Sequence, residues 1–190
     1  MASKKSREKI FKKTKKPILF ATLGYPGSGK TFFARKFAKD FGLFHLNSDR
    51  LRLEIFPKPD YTVKENAVVF RTMDYIADEL LQQGVSVIYD ANSTKRIYRK
   101  RLQGIAKKRR ADYILLWFKT PVKTALKRIR KRTALKSELM KRYHRVIDDS
   151  VLYRIKADEE EPFKEPHVVL NTASYKEQRG SVVKSLRAKK

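Results

Sequence analysis

The segment Gly24-Tyr25-Pro26-Gly27-Ser28-Gly29-Lys30-Thr31 follows directly on the apolar run Pro17-Ile18-Leu19-Phe20-Ala21-Thr22-Leu23. Few patterns constrain a fold as tightly. Glycines at this spacing let backbone N–H groups wrap a chain of phosphates where a strand feeds the loop and a helix leaves it. The spacing therefore predicts a buried strand over 17–23 and a helix over 30–41. Lys30 supplies a mobile cation for the β- and γ-phosphates. Thr31 offers a hydroxyl to Mg²⁺, a cation that takes few protein ligands when phosphates supply the others. The whole segment 24–31 is assigned to nucleotide binding, with ATP and Mg²⁺ as the expected ligands.

Beyond the loop, short apolar runs alternate with helical periodicity. Strands are expected at 43–46, 85–89, 113–118 and 167–170. Val69, Met73, Ile76 and Leu80, widened by Phe70, Ala77 and Leu81, form a helical stripe that Gly84 closes. Further helices are expected from near Ser48, over 95–108, 121–132 and 136–153, and after Tyr175 through Val182, Val183 and Leu186. Alternation of this kind implies right-handed βαβ units, hence an α/β three-layer fold with a mostly parallel central sheet, of the P-loop NTPase type given the loop at 24–31. The expected organisation is a basic arm at 1–16, a P-loop domain at 17–175 and a basic tail at 176–190.

Lys and Arg total 46 against 20 acidic residues, a formal charge of +26 that favours a polyanionic partner. The chain has no cysteine, which excludes disulfides and thiolate metal sites and accords with the cytoplasm as expected location. The apolar run 17–23 is too short to cross a bilayer, and Met1–Arg7 has no apolar stretch behind it, so neither membrane anchoring nor a secretory leader is expected.

Phosphoryl transfer also needs a group to handle the acceptor's proton. Asp49, in Asn47-Ser48-Asp49-Arg50-Leu51-Arg52, follows a strand expected to lie beside the strand that feeds the loop. That would put its carboxylate at the C-terminal edge of the sheet, where open α/β sheets bind ligands. Ser48 or Asp49 would serve equally as a helix N-cap, and the spacing leaves both roles open.

The combination of the loop with Asp49-x-x-Arg52 and Tyr89-Asp90-Ala91-Asn92 resembles the phage-type 5′-polynucleotide kinase branch of P-loop kinases, over roughly residues 17–172. Zeta-toxin-like and chloramphenicol phosphotransferase-like kinases share much of it. The resemblance implies Asp49 as general base, Arg52 on an acceptor phosphate, and Asp90 near the acceptor or, through water, Mg²⁺. Asn92 joins the acceptor site. It also implies that 17–175 is a kinase domain with a helical lid at 128–146, and that Arg128 and Arg132, which share one helix face, sit at that lid, with Arg128 near the adenine and Arg132 on the transferred phosphate.

Lys95, Arg96, Arg99, Lys100, Arg101, Lys107, Lys108, Arg109 and Arg110 form a run without an acid among them. With both basic ends of the chain it could track a nucleic-acid backbone. Tyr98 is a candidate base-stacking group, although a helical tyrosine usually packs. There is no Asp-x-Asp-x-Thr phosphatase signature, and His45, His144 and His167 are dispersed. The expected partner is RNA or DNA, and the expected activity a 5′-hydroxyl kinase. The alternatives are a small-molecule kinase and a non-catalytic ATP-binding RNA-associated factor.

Overall fold

The computed structural model describes residues 16–134, 149–171 and 174–188, with side chains through Lys131 in the first of these stretches. The arm at 1–15, most of the expected lid, the side chain of Arg132 and the start of the expected 136–153 helix lie outside the described residues.

Strand β1 (Ile18–Leu23) leads through the glycine loop to α1 (Lys30–Phe41). There follow β2 (Phe44–Asn47), α2 (Ser48–Ile55), α3 (Val63–Gln82), β3 (Val87–Asp90), α4 (Arg96–Lys108) and β4 (Asp112–Phe118). Helices α5 (Val122–Ala134) and α6 (Asp149–Ala157), strand β5 (His167–Leu170) and helix α7 (Tyr175–Ala188) complete the described chain. The five strands run parallel in the order β2-β3-β1-β4-β5. This is the expected α/β P-loop NTPase architecture.

The order corrects one expectation. β2 does not lie beside β1, because β3 stands between them, with Asn47 opposite Asp90 and Leu19 opposite Val87. The first crossover skips a place and the second returns to fill it. The chain thus reverses direction across the sheet at β1, and a ligand crevice opens there.

Every residue of β1 is buried, as a strand covered on both faces must be. One face carries Phe20, Ile88, Leu116 and Phe118 against α1 and α7. Phe33 stacks on Phe37 at 5.1 Å, and Phe20 meets Phe37 edge-on at 5.5 Å. Val182 and Leu186 of α7 belong to this core, so the segment expected as a basic tail contributes an amphipathic helix to the domain. The other face carries Leu19, Ala21, Tyr89 and Trp117 against α3 and α4. The buried seam of α3 is Val69, Met73, Ala77 and Leu81, with Ile76 and Leu80 packed at its margin. β3 begins two residues later than expected, because the Val85 N–H still closes α3 on the Leu80 carbonyl. No helix among the described residues is long and apolar enough to cross a membrane.

Candidate functional site

The glycine loop turns at Gly24, Gly27 and Gly29, all at positive φ. Gly27 is the most constrained: a Cβ there would stand 2.6 Å from the Ala125 carbonyl oxygen, so α5 packs directly on the loop backbone. Thr120 donates to the Ser28 carbonyl at 2.9 Å, and Arg128 donates to the carbonyls of Gly27 and Ser28 at 3.3 and 3.4 Å. The loop is therefore gripped from behind. Gly29 caps α1 without offering a side-chain acceptor, so no cap side chain covers the positive end of the helix. Lys30 folds back onto the carbonyls of Gly24 and Tyr25 at 2.6 and 3.1 Å. Ser28 Oγ is buried and has no partner among the described residues. A lysine resting on loop carbonyls and a buried hydroxyl without a partner among the described residues fit a triphosphate, which would draw the lysine to itself and give the hydroxyl an acceptor.

Asp90 ends β3 with 2% of its surface exposed. Its Oδ2 accepts from Asn47 Nδ2 at 2.7 Å and shares a hydrogen bond with His45 Nε2 at 2.9 Å. Asn47 Oδ1 accepts from the Arg50 N–H, which makes Asn47 the cap of α2. Capping is thus not the task of Ser48 or Asp49, one of the two roles the spacing left open for Asp49. Asp49 is exposed in the first turn of α2. Thr22 ties β1 to β3 by accepting from the Ala91 N–H at 3.2 Å and donating to the Ala91 carbonyl at 2.9 Å. The side-chain Oδ1 of Asn92 just beyond is buried and unpartnered among the described residues. Among the described residues no group of carboxylates and histidines could by itself hold a metal ion.

Arg52 is buried, and its guanidinium is already engaged. It donates to Glu65 at 3.2 Å and Asn66 at 2.6 Å and lies 4.6 Å over the Tyr61 ring, while Nε has no partner among the described residues. The N–H groups of Asp60 and then Tyr61, with the charge of Arg52, hold the Glu65 carboxyl below its ordinary range despite some desolvation. An acceptor phosphate at Arg52 would have to exchange these partners or use Nε.

The basic run is less free than its sequence implies. Arg99 is fully buried on Glu165, Arg101 pairs with Asp74 at 2.6 Å, and Lys108 and Arg109 share Asp78. Lys95 meets Asp158 at 3.2 Å. Lys100, Lys107 and Arg110 are exposed and make no ion pair among the described residues. Tyr98 stacks against Phe70 at 6.4 Å yet keeps 44% of its surface exposed.

The strap joining α6 to β5 was not foreseen as part of the site. Glu159 Oε1 accepts from Trp117 Nε1 at 3.1 Å, while Oε2 is buried without a partner among the described residues. Burial raises the Glu159 carboxyl above its ordinary pKa, opposed by the Trp117 hydrogen bond and the charge of Lys30. The strap is pinned by the Glu160 N–H on the Thr94 carbonyl at 3.0 Å and by Glu160 Oε2, which caps α4 at the Arg96 N–H at 2.7 Å.

The sequence profile of the AAA domain family matches residues 19–162, from the first strand through the strap. The chain belongs to this family. No curated protein matches the sequence. Among solved structures, the fold is similar to Chaetomium thermophilum Kti12 in complex with ADP-AlF3, at TM-score 0.69 and 18% identity over 90% of this chain and 98% of that one. It is similar to the Mycobacterium tuberculosis APS kinase CysC in complex with AMPPNP and APS, at TM-score 0.65 and 20% identity over 90% and 98%. It is also similar to a chain of the Pnkp1/Rnl/Hen1 RNA repair complex, at TM-score 0.64 and 23% identity, covering 77% of this chain and 46% of that one. At such identities the likeness establishes the fold.

Within this AAA domain the segment 24–31, Asp49, Asp90, Asn92 and Arg128 all come from the loops and helix ends at the C-terminal edge of the sheet or from the helix packed on it. Arg52 lies one turn further along α2, turned toward α3. Sequence reasoning missed Asn47 as cap and as Asp90 partner, His45 as the second Asp90 partner, Thr120 behind the loop, and Glu159. Asn47 alone carried a local signal, as an N-cap residue type before an apolar-periodic segment.

Proposed function

We propose that this chain is an ATP-dependent kinase that transfers the γ-phosphate of ATP to the 5′-hydroxyl of RNA or DNA. The observation that carries the transferase reading is the pairing of the phosphate cradle, with Lys30 and an uncapped α1 N-terminus, with the Asp49 and Asp90 carboxylates on the same sheet edge. Lys30 binds the β- and γ-phosphates, and Arg128 holds the nucleotide. Asp49 accepts the hydroxyl proton as the acceptor oxygen bonds to the γ-phosphorus and the bond to the ADP oxygen breaks. Thr31 and, through water, Asp90 would hold Mg²⁺, which would supply positive charge to offset that of the phosphates. Arg52, Asp90 and Asn92 orient the acceptor, and Arg132 stabilises the transferred phosphoryl group.

The acceptor class rests on the charge of +26, on the unpaired Lys100, Lys107 and Arg110, and on the arm at 1–16. The likeness to an RNA repair chain supports it. The likeness to an APS kinase favours a small-molecule acceptor as the second reading. Anisotropy of a labelled 5′-hydroxyl RNA across a salt series separates them. The expected result is binding that weakens with salt at a slope of roughly 0.7 per phosphate contact, flattened by removal of residues 1–16. No binding at low salt would leave the small-molecule kinase as the better reading.

A further inference from the structure

The strap places a negative charge over the cradle. Sheet order sets β1 between β3 and β4. Glu159 is bonded to Trp117 near the end of β4, and the next residue, Glu160, is bonded to Thr94 just after β3. The peptide joining them therefore spans the C-terminal end of β1, where Leu23, opposite Trp117, runs into Gly24. Glu159 Oε1 is fixed by the indole, and Oε2 is buried with no partner among the described residues. The carboxylate is near enough for its charge to act on both Lys30 and Tyr25. The other charges that reach it are Glu161, itself 3.9 Å from Lys119, and Arg99. Arg99 holds the strap in place through the Glu161 carbonyl and Glu165.

A cradle lined by Lys30 and a helix N-terminus has an electrostatic preference for the more highly charged ligand, the metal-free triphosphate, which offsets part of the advantage that the cation itself confers on the complex. A fixed carboxylate beside it opposes that preference. Its repulsion scales with ligand charge, so a free tetra-anionic nucleotide feels it about twice as strongly as the dianionic magnesium complex. We propose that Glu159 makes the cradle selective for cation-complexed nucleoside triphosphates over free ones. The proposal rests on the reading of the loop as an ATP site, and it assigns Glu159 a positioning and selectivity role distinct from the transfer chemistry.

The test is calorimetric binding of ATP to the full-length protein at pH 8, once with Mg²⁺ and once with EDTA. Wild-type protein should bind the magnesium complex about tenfold or more tightly than free ATP. Glu159→Gln keeps an acceptor for the Trp117 indole and removes the charge. It should tighten metal-free binding by about tenfold and the magnesium complex by about threefold, narrowing the ratio. Glu161→Gln, whose side chain is 72% exposed on the same strap, should leave the ratio unchanged because water screens that charge. A merely structural role for Glu159 would instead weaken both forms together. Should Glu159→Gln melt early, Glu159→Ala measured below its melting midpoint reads the same ratio. An unchanged ratio in the Glu159 variant, or parallel loss of both affinities, overturns the proposal. Failure of the wild type to bind either form would overturn the nucleotide reading on which it stands.

Discussion

Arg99 gives the sharpest stability prediction. Its side chain is fully buried, and its Nε donates to Glu165 at 2.7 Å, a carboxylate whose own side chain is 6% exposed. Its remaining nitrogens donate to the carbonyls of Ser93 at 3.0 Å, Thr94 at 2.9 Å and Glu161 at 3.4 Å. Arg99→Met preserves much of the volume but leaves the Glu165 charge buried, with only Gln103 donating to it. Breaking such a pair from one side costs about 3–5 kcal/mol, a large part of a domain's usual margin. Thr94 keeps the Glu160 N–H as a donor, whereas the Ser93 and Glu161 carbonyls lose theirs, at about 1 kcal/mol each within that total. Arg99→Met combined with Glu165→Gln removes the stranded charge and should recover about 2 kcal/mol over the single variant. Urea unfolding is well suited to the comparison, because Trp117 is the only tryptophan and touches the strap that Arg99 holds. A loss below about 1 kcal/mol for Arg99→Met, or a double variant less stable than the single, would refute the reasoning.

Lys30→Ala should abolish phosphate transfer and weaken ATP binding; turnover at the wild-type rate would remove the loop from the mechanism. Asp49→Asn should lower transfer by about two orders of magnitude or more with ATP affinity within a few-fold. Full activity in that variant would dismiss Asp49 as base. Gly27→Ala should displace α5 or the loop, since its Cβ meets backbone at 2.6 Å and φ is +79°, and nucleotide affinity should fall; equal affinity would show that the contact yields freely. Arg109, and then Lys108, hold the Asp78 carboxyl down at about 2. A depressed carboxyl contributes stability that is full above its ordinary range near 3.8 and lost as pH falls toward 2, here up to about 1 kcal/mol after solvent screening. Asp78→Asn should flatten that acid limb in pH-dependent melting, and an identical limb would assign it to other groups.

What was legible in the sequence was what is local. The loop, its feeding strand and its helix follow from a continuous pattern, and the amphipathic stripe of α3 follows from spacing. Strand order was not legible, because nothing between Phe41 and Phe44 records that β2 leaves a place for β3. Asp90 could be placed at a strand end, but its engagement by His45 and Asn47 depends on a register across strands more than forty residues apart. The basic run misled for the same reason. Arg99, Arg101 and Arg109 find their carboxylates on α3 and the strap, distant in sequence, so a stretch without internal acid still folds half neutralised. Glu159 was hidden in an acidic run whose neighbours Asp158 and Glu161 face solvent.

The most direct measurement is incubation of the protein with γ-labelled ATP and Mg²⁺ against a panel of 5′-hydroxyl RNA, 5′-hydroxyl DNA and hydroxylated metabolites, with Asp49→Asn as control. The account predicts label at the 5′ end of an oligonucleotide, lost when that end already carries phosphate and reduced by about two orders of magnitude in the variant. Label confined to a small metabolite, or ATP turnover with no labelled acceptor, would contradict it.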